Sequence, residues 1–264
     1  MIRTRQLQFL RPDEIVAEIS RAPIVYWPLG LIEWHGPHLP VGVDSLNAQA
    51  VALRAADRSG GLVMPVAYFG TERERDEQTL DWLGIEPQQW VVGMDFSANT
   101  LPSMYAREDH FAIFVRENLR LMTKMGFKLI VVVSGHAATN QLATLERIAA
   151  EFNAAGAVRA IVVLPFVADE AGVLAVGHAS RIETSVMMVL KPDTVRLENL
   201  PALPEPLRNR DWAIVDYKTF LGEPSAERTV SEADDPRFAS AEAGREMLER
   251  AATQIVEKVS KELK

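Results

Sequence analysis

The sequence predicts an α/β fold, a mainly parallel sheet with helices packed on both of its faces. Three observations carry this reading. Short β-branched apolar runs bounded by Gly or Pro alternate with helical patterns. The segments richest in histidine and acid follow such runs, or the loop after one, where open parallel sheets bind ligands. The 264 residues are 48% hydrophobic and 24% charged, a soluble balance with length enough for one sizeable core.

Residues 24–29, 62–66, 128–133 and 160–165 read as buried strands. Between them, 45–58, 108–125 and 139–155 place apolar residues at three- and four-residue steps. In the second of these Phe111, Phe114, Val115, Leu119 and Met122 make one stripe, and Gly126 supplies the C-terminal stop. Strand–helix alternation of this kind implies parallel pairing with helices on both faces. Two segments break the rhythm. Residues 70–107 are charged and tryptophan-rich, and 192–236 hold most of the later prolines; such segments are commonly lids or contact surfaces. An amphipathic helix over 240–263 closes the chain. No repeat, low-complexity tract or linker divides it, so residues 1–264 are expected to form a single domain.

Composition excludes several functions. The formal charge is −8, which argues against a nucleic-acid partner, since that needs a basic face. Cysteine is absent, which removes disulfides, thiolate metal sites and a cysteine nucleophile. The start shows no apolar core run behind its basic residues. The most apolar stretches, 129–133 and 160–168, are too short to span a bilayer. A soluble cytoplasmic protein with no membrane partner is expected.

The stretch Glu33-Trp34-His35-Gly36-Pro37-His38-Leu39-Pro40-Val41-Gly42-Val43-Asp44 carries the clearest chemistry. Glu33 and His35 are two apart, so in an extended segment both side chains leave the same side, with Cα atoms roughly 6–7 Å apart. That spacing suits ligands sharing one ion or holding a close metal pair. Asp44 follows a kinked turn and has two oxygens with which to bridge. His38 is read as supporting the ligands or facing substrate.

Two further segments are candidates to complete the site. Ser134-Gly135-His136-Ala137-Ala138-Thr139-Asn140 follows a strand and opens a helix, which makes His136 a candidate ligand. Gly177-His178-Ala179-Ser180-Arg181-Ile182-Glu183-Thr184-Ser185 offers His178 as a proton donor and Glu183 as a ligand. Ser180-Arg181-Ile182-Glu183 also reads as a capping box, in which Glu183 needs no metal. Four of the five histidines fall in these three segments. The fifth, His110, sits in the first turn of a helix and reads as a surface or packing residue. Glutamate, aspartate and histidine together suit zinc, manganese, iron(II) or cobalt. A pair of such ions can hold a hydroxide at neutral pH and polarise a carbonyl, and a histidine can protonate the departing nitrogen. Amide hydrolysis is the natural reaction.

Glu33-x-His35-Gly36-Pro37-His38-Leu39-Pro40 with Asp44, then Gly135-His136, then His178-Ala179 with Glu183-Thr184-Ser185, resembles the creatininase (creatinine amidohydrolase) family in order and spacing. The resemblance runs from about residue 24 to 190 and takes in the C-terminal helix. It implies a three-layer α/β/α sandwich around a mainly parallel, mixed sheet. It also implies two divalent ions, zinc or manganese with iron a further candidate, hydrolysis of small cyclic or linear amides, and a homo-oligomer, often a hexamer. Carried onto this chain, Glu33, His35, Asp44, His136 and Glu183 hold the metals, Asp44 bridges, and His178 is the acid–base histidine.

The departures concern the substrate. Creatininase has a glutamate two residues after the His136 equivalent, and this chain has Ala138, which leaves Glu183 to complete the metal set. The family's glutamate–histidine pair and phenylalanine-proline-glycine-threonine turn are missing. Residues 68–73 and 99–105 stand in their place, with Arg73 and Tyr105 as candidate substrate contacts. Arg75 and Arg107 are further candidates to clamp an anion, and Trp82 or Trp90 to line a planar pocket. Creatinine is not the expected substrate. Other readings are a different two-metal hydrolase such as a phosphoesterase, which lacks support from any Gly-rich phosphate loop, and a non-catalytic oligomer that binds a metal or ligand.

Overall fold

A computed structural model describes residues 2–83, 85–86, 88–96, 99, 101–167, 177–207, 209–210, 213–214 and 230–263, without the side chains of 82, 83, 209, 210, 213 and 214. Its centre is a parallel sheet. Strand β1 (Ile24–Gly30) pairs with β6 (Leu129–Ser134), which pairs with β7 (Arg159–Val163). On its other edge β1 meets two short strands, β2 (Leu62–Val63) and β3 (Ala67–Tyr68). Every pairing in this sheet is parallel among the described residues. The antiparallel pair, β8 (Asn209–Arg210) with β9 (Ala213–Ile214), stands apart from it. A further parallel pair, β4 (Gly70–Thr71) and β5 (Tyr105–Ala106), brackets the long charged segment.

The period of two along β1 separates two cores. Ile24 and Tyr26 face one side with Leu129, Val131 and Val133. There they meet the alanine-rich face of α2 (Val43–Ser59), α6 (Arg181–Leu190), and Leu248, Ala252, Ile255 and Val259 of α7 (Ala241–Glu262). Val25, Trp27 and Leu29 face the other side, against Phe111, Val115, Leu119 and Met122 of α4 (Glu108–Met125) and Leu145 and Ile148 of α5 (Thr139–Ala155). Ile15 and Ile19 of α1 (Pro12–Arg21) join this second core. The result is the expected three-layer α/β/α sandwich. No helix among the described residues is long and apolar enough to cross a membrane.

Three differences from expectation stand out. The strand expected over 62–66 stops at Val63 because Pro65 cannot donate to a ladder. Pro28 matches this break from within β1. The Met64 amide donates to Tyr26, and the Gly135 amide donates to Leu29 on the opposite edge. Strand alternation then turns the donor-less nitrogen of Pro28 toward the gap between β2 and β3. The second difference is α1, an amphipathic helix with Pro at its first turn and Glu14 accepting from the Arg11 amide. The third is α3 (Glu77–Leu83), a short helix inside the segment read as irregular.

Candidate metal centre

The carboxyl ends of β1 and β6 and the first turns of α2 and α6 converge on one buried cluster. The loop after β1 carries Glu33 and His35, and it is closed by the Glu33 amide donating to Val41 (2.9 Å) and the Met104 amide donating to Ile32 (2.8 Å). Asp44 lies in the first turn of α2. Gly135 brings the end of β6 against that turn, where a Cβ would lie 2.0 Å from the Asp44 carbonyl oxygen, so no larger residue fits. His136 follows, its carbonyl accepting from the Ser134 hydroxyl (2.7 Å) and the Gln141 amide (3.4 Å).

Three donor groups form, each with ligand atoms within 4.8 Å of one another: Glu33, Asp44 and His136; His35, Asp44 and Glu183; and Glu33, His35 and His178. Asp44 faces two ways. Its Oδ1 lies 3.2 Å from His35 Nε2, and its Oδ2 lies 3.3 Å from His136 Nδ1. Glu33 Oε2 is 3.4 Å from His136 Nδ1 and 3.9 Å from His35 Nε2. Its Oε1 accepts from the Tyr105 hydroxyl at 2.5 Å.

The histidine tautomers follow from the outer hydrogen bonds. His35 Nδ1 donates to the Glu33 carbonyl (3.1 Å), so the neutral ring turns its Nε2 lone pair toward the carboxylates. His178 Nε2 donates to the Trp34 carbonyl (2.6 Å), which leaves Nδ1 3.7 Å from Glu33 Oε2. Inward lone pairs beside buried carboxylates are the donor set a divalent cation of the zinc or manganese type needs. The residues fit such ions.

Glu183 does not serve as a capping glutamate. Ser180 makes no side-chain cap bond, so the expected capping box does not form. Instead Glu183 Oε2 accepts the amide of Ala179 at 2.6 Å, and Oε1 lies 3.8 Å from His35 Nε2. Ala179 has φ of 53°, in the left-handed region, which costs an L-residue about 1–2 kcal/mol. The hydrogen bond to Glu183, worth about 0.5–1.5 kcal/mol to a neutral carboxyl and about 1.5–3 kcal/mol to a carboxylate, offsets that cost.

Without a cation the cluster neutralises itself with protons. Burial works to lower the pKa of His35, but Asp44, Glu183 and Glu33 outweigh it and raise it to about 10. His136 is likewise raised well above its ordinary value by Glu33 and Asp44 against the effect of burial. Burial alone would raise Glu33 and Asp44, and the imidazoles hold both below the usual carboxylate range. Burial pushes Glu183 up to about 8. His178 falls to about 4 through burial and the neighbouring His35.

A cavity of about 550 Å³ opens onto this cluster, with Leu142, Leu164 and Phe166 as its apolar wall. Arg73 lines it and makes no ion pair among the described residues, whereas Arg75 is tied to the Gly93 carbonyl (3.0 Å) and to Glu72 (3.6 Å). Other candidates lie elsewhere. His38 is buried outside this lining, with Nε2 3.0 Å from the Thr184 hydroxyl, so in this structure it braces α6. Tyr105 also lies outside the lining and holds Glu33. Arg107 pairs with Asp109 at the surface, and Trp90 is 72% exposed. The side chain of Trp82 lies outside the described residues. Sequence reasoning missed Glu72, which lines the cavity, and Gln141, which accepts the Thr71 amide (2.8 Å) and so ties β4 to the His136 loop.

A family model described as Creatininase, creatinine amidohydrolase, matches residues 9–259. The chain belongs to the creatininase family. A creatinine amidohydrolase of Pseudomonas putida is 25% identical over 256 residues, spanning 90% of this chain and 89% of that protein. The crystal structure of a creatinine amidohydrolase (creatininase) matches at a TM-score of 0.70 with 24% identity, covering 99% of this chain and 98% of that one. A mutant creatininase complexed with creatine matches at 0.70 and 24%, covering 98% and 99%. A creatininase described with manganese gives the same figures. These solved structures establish the creatininase fold here. Family and fold together support a hydrolase acting on amide C–N bonds.

Proposed function

We propose that this chain is a metal-dependent amidohydrolase that cleaves the C–N bond of a small cyclic or linear amide. Two divalent ions, zinc or manganese with iron a further candidate, are assigned to Glu33, Asp44 and His136 on one side and to His35, Asp44 and Glu183 on the other. The observation that carries this reading is Asp44, which belongs to two of the donor groups and faces His35 with one oxygen and His136 with the other. Bound divalent ions supply water activation at neutral pH and polarise the amide carbonyl.

The chain's own residues do the rest. Ala138 lines the cavity where creatininase has a glutamate, and Glu183 enters the cluster from α6. His178 is anchored through Nε2 and keeps an open Nδ1 at the cavity. It is assigned to take a proton at Nδ1 from the attacking water and to hand it on to the departing nitrogen. The apolar wall excludes water from the body of the substrate, and Arg73 offers a partner to an anionic substituent. The altered segment between β4 and β5 argues against creatinine itself. A homo-oligomer, a hexamer in the family pattern, and a cytoplasmic setting belong to the same reading.

The test is a screen of small amides, with and without added zinc or manganese, on the wild type and on Glu33→Gln and His136→Ala. Both variants are expected to lose bound metal and turnover. Full metal content and full activity in either one contradicts the assignment.

A further inference from the structure

His136 presents Nδ1 to Glu33 and Asp44, and its other ring nitrogen, Nε2, is buried without a hydrogen-bond partner. The acceptor nearest in chemistry is Glu72, whose Oε2 lies 3.8 Å from that nitrogen. The geometry points to Glu72 as the positioning residue for His136. This rests on the reading of His136 as a metal ligand.

Glu72 is built for such a task. Its side chain is only 7% exposed although it lines the cavity. Its Oε1 accepts the Arg73 amide at 2.8 Å, which fixes the carboxylate against its own backbone. The Arg75 guanidinium stands 3.6 Å from Oε2 and is itself held by the Gly93 carbonyl. The preceding Thr71 is locked to Gln141, whose side chain also reaches the His136 carbonyl. Backbone and side chain of His136 are thus both addressed from the end of β4.

The physical reason is general. An imidazole that offers Nδ1 to a cation must carry its proton on Nε2, and a buried N–H without an acceptor is unfavourable. A carboxylate at that position fixes the tautomer, holds the ring plane and makes the ligand nitrogen more basic. Closing the present 3.8 Å to a charge-assisted hydrogen bond near about 2.8 Å needs a shift of only about 1 Å. Glu72 is no member of the three donor groups, so its role is to orient a ligand.

The test uses the full chain with Glu72→Ala and Glu72→Gln, zinc and manganese affinity from chelator competition, and the visible absorption of the cobalt-substituted protein. Glu72→Ala is expected to bind either ion about 10- to 100-fold more weakly and to shift the cobalt bands, with circular dichroism unchanged. Glu72→Gln keeps an acceptor without the charge and should recover part of that loss. Affinities within about twofold of wild type and identical cobalt spectra in both variants overturn the role of Glu72. A wild type that binds no ion overturns the metal assignment beneath it, and this inference with it.

Discussion

The Tyr105 hydroxyl donates to Glu33 Oε1 at 2.5 Å and accepts the Met94 amide at 2.9 Å. One oxygen of a carboxylate in the donor cluster is thereby fixed by the segment that also lines the cavity. Burial and the Glu33 charge both raise the pKa of this phenol, so it stays a donor across the working range. A hydrogen bond to a charged group is worth about 1.5–3 kcal/mol. Tyr105→Phe should therefore weaken metal binding about 10-fold or more, measured by chelator competition. An unchanged affinity would show that Glu33 is held without it.

Gly135 supports a second prediction, on stability. A Cβ there would lie 2.0 Å from the Asp44 carbonyl oxygen. Backbone on both sides must then separate, because neither partner is a flexible side-chain tip. Gly135→Ala is expected to cost about 3 kcal/mol, at the upper end of overpacking effects, and to lower metal content by spreading Asp44 from His136. Thermal unfolding with metal analysis checks both effects. A normal melting temperature would mean that the contact relaxes freely.

The sheet and most of the cluster were legible because both depend on local pattern. β-branched runs between helical stripes define parallel strands, and ligands placed after such strands have one end of the sheet to share. Glu33, His35, Asp44 and His136 come together on those grounds, whereas local pattern leaves Glu183 divided between a cap and a ligand and the creatininase resemblance favours the ligand. Glu72 is not legible: it follows a two-residue strand, β4, whose partner β5 lies more than thirty residues further along the chain. Tyr105 reads as a substrate contact from the segment it sits in, but a phenol's partner is a tertiary fact, and its partner is Glu33. His38 reads as supporting the ligands or facing substrate, and after the turn at Gly36 (φ 72°) its ring meets Thr184, a partner on α6 that lies far along the chain. The break in the edge strand rests on two prolines facing one gap, a coincidence that neither proline announces alone.

The pKa shifts predict how metal binding responds to pH. In the metal-free chain His35 is raised to about 10 and Glu183 to about 8, so both carry protons at neutral pH. A cation must displace them, so binding releases protons and strengthens as pH rises. The metal-free fold behaves in the opposite sense on this side. The stabilisation from charged His35 is complete below its unfolded pKa of about 6.5 and is lost as pH rises through about 10. The lowered carboxyls of Glu33 and Asp44 contribute above their unfolded values and lose that contribution in acid. The rise in melting temperature on adding zinc should therefore be larger at pH 8 than at pH 6. An equal or smaller rise at pH 8 contradicts this protonation pattern.

We propose that Asp44 is shared between two cations in an amide-cleaving centre. Metal stoichiometry per chain, measured by elemental analysis on wild type and Asp44→Asn, tests it most directly. Two ions per wild-type chain are expected, with amide hydrolysis lost on chelation and restored on adding them back, and fewer than two ions in Asp44→Asn. A wild type that holds one ion or none, or an Asp44→Asn variant that keeps two, contradicts the account.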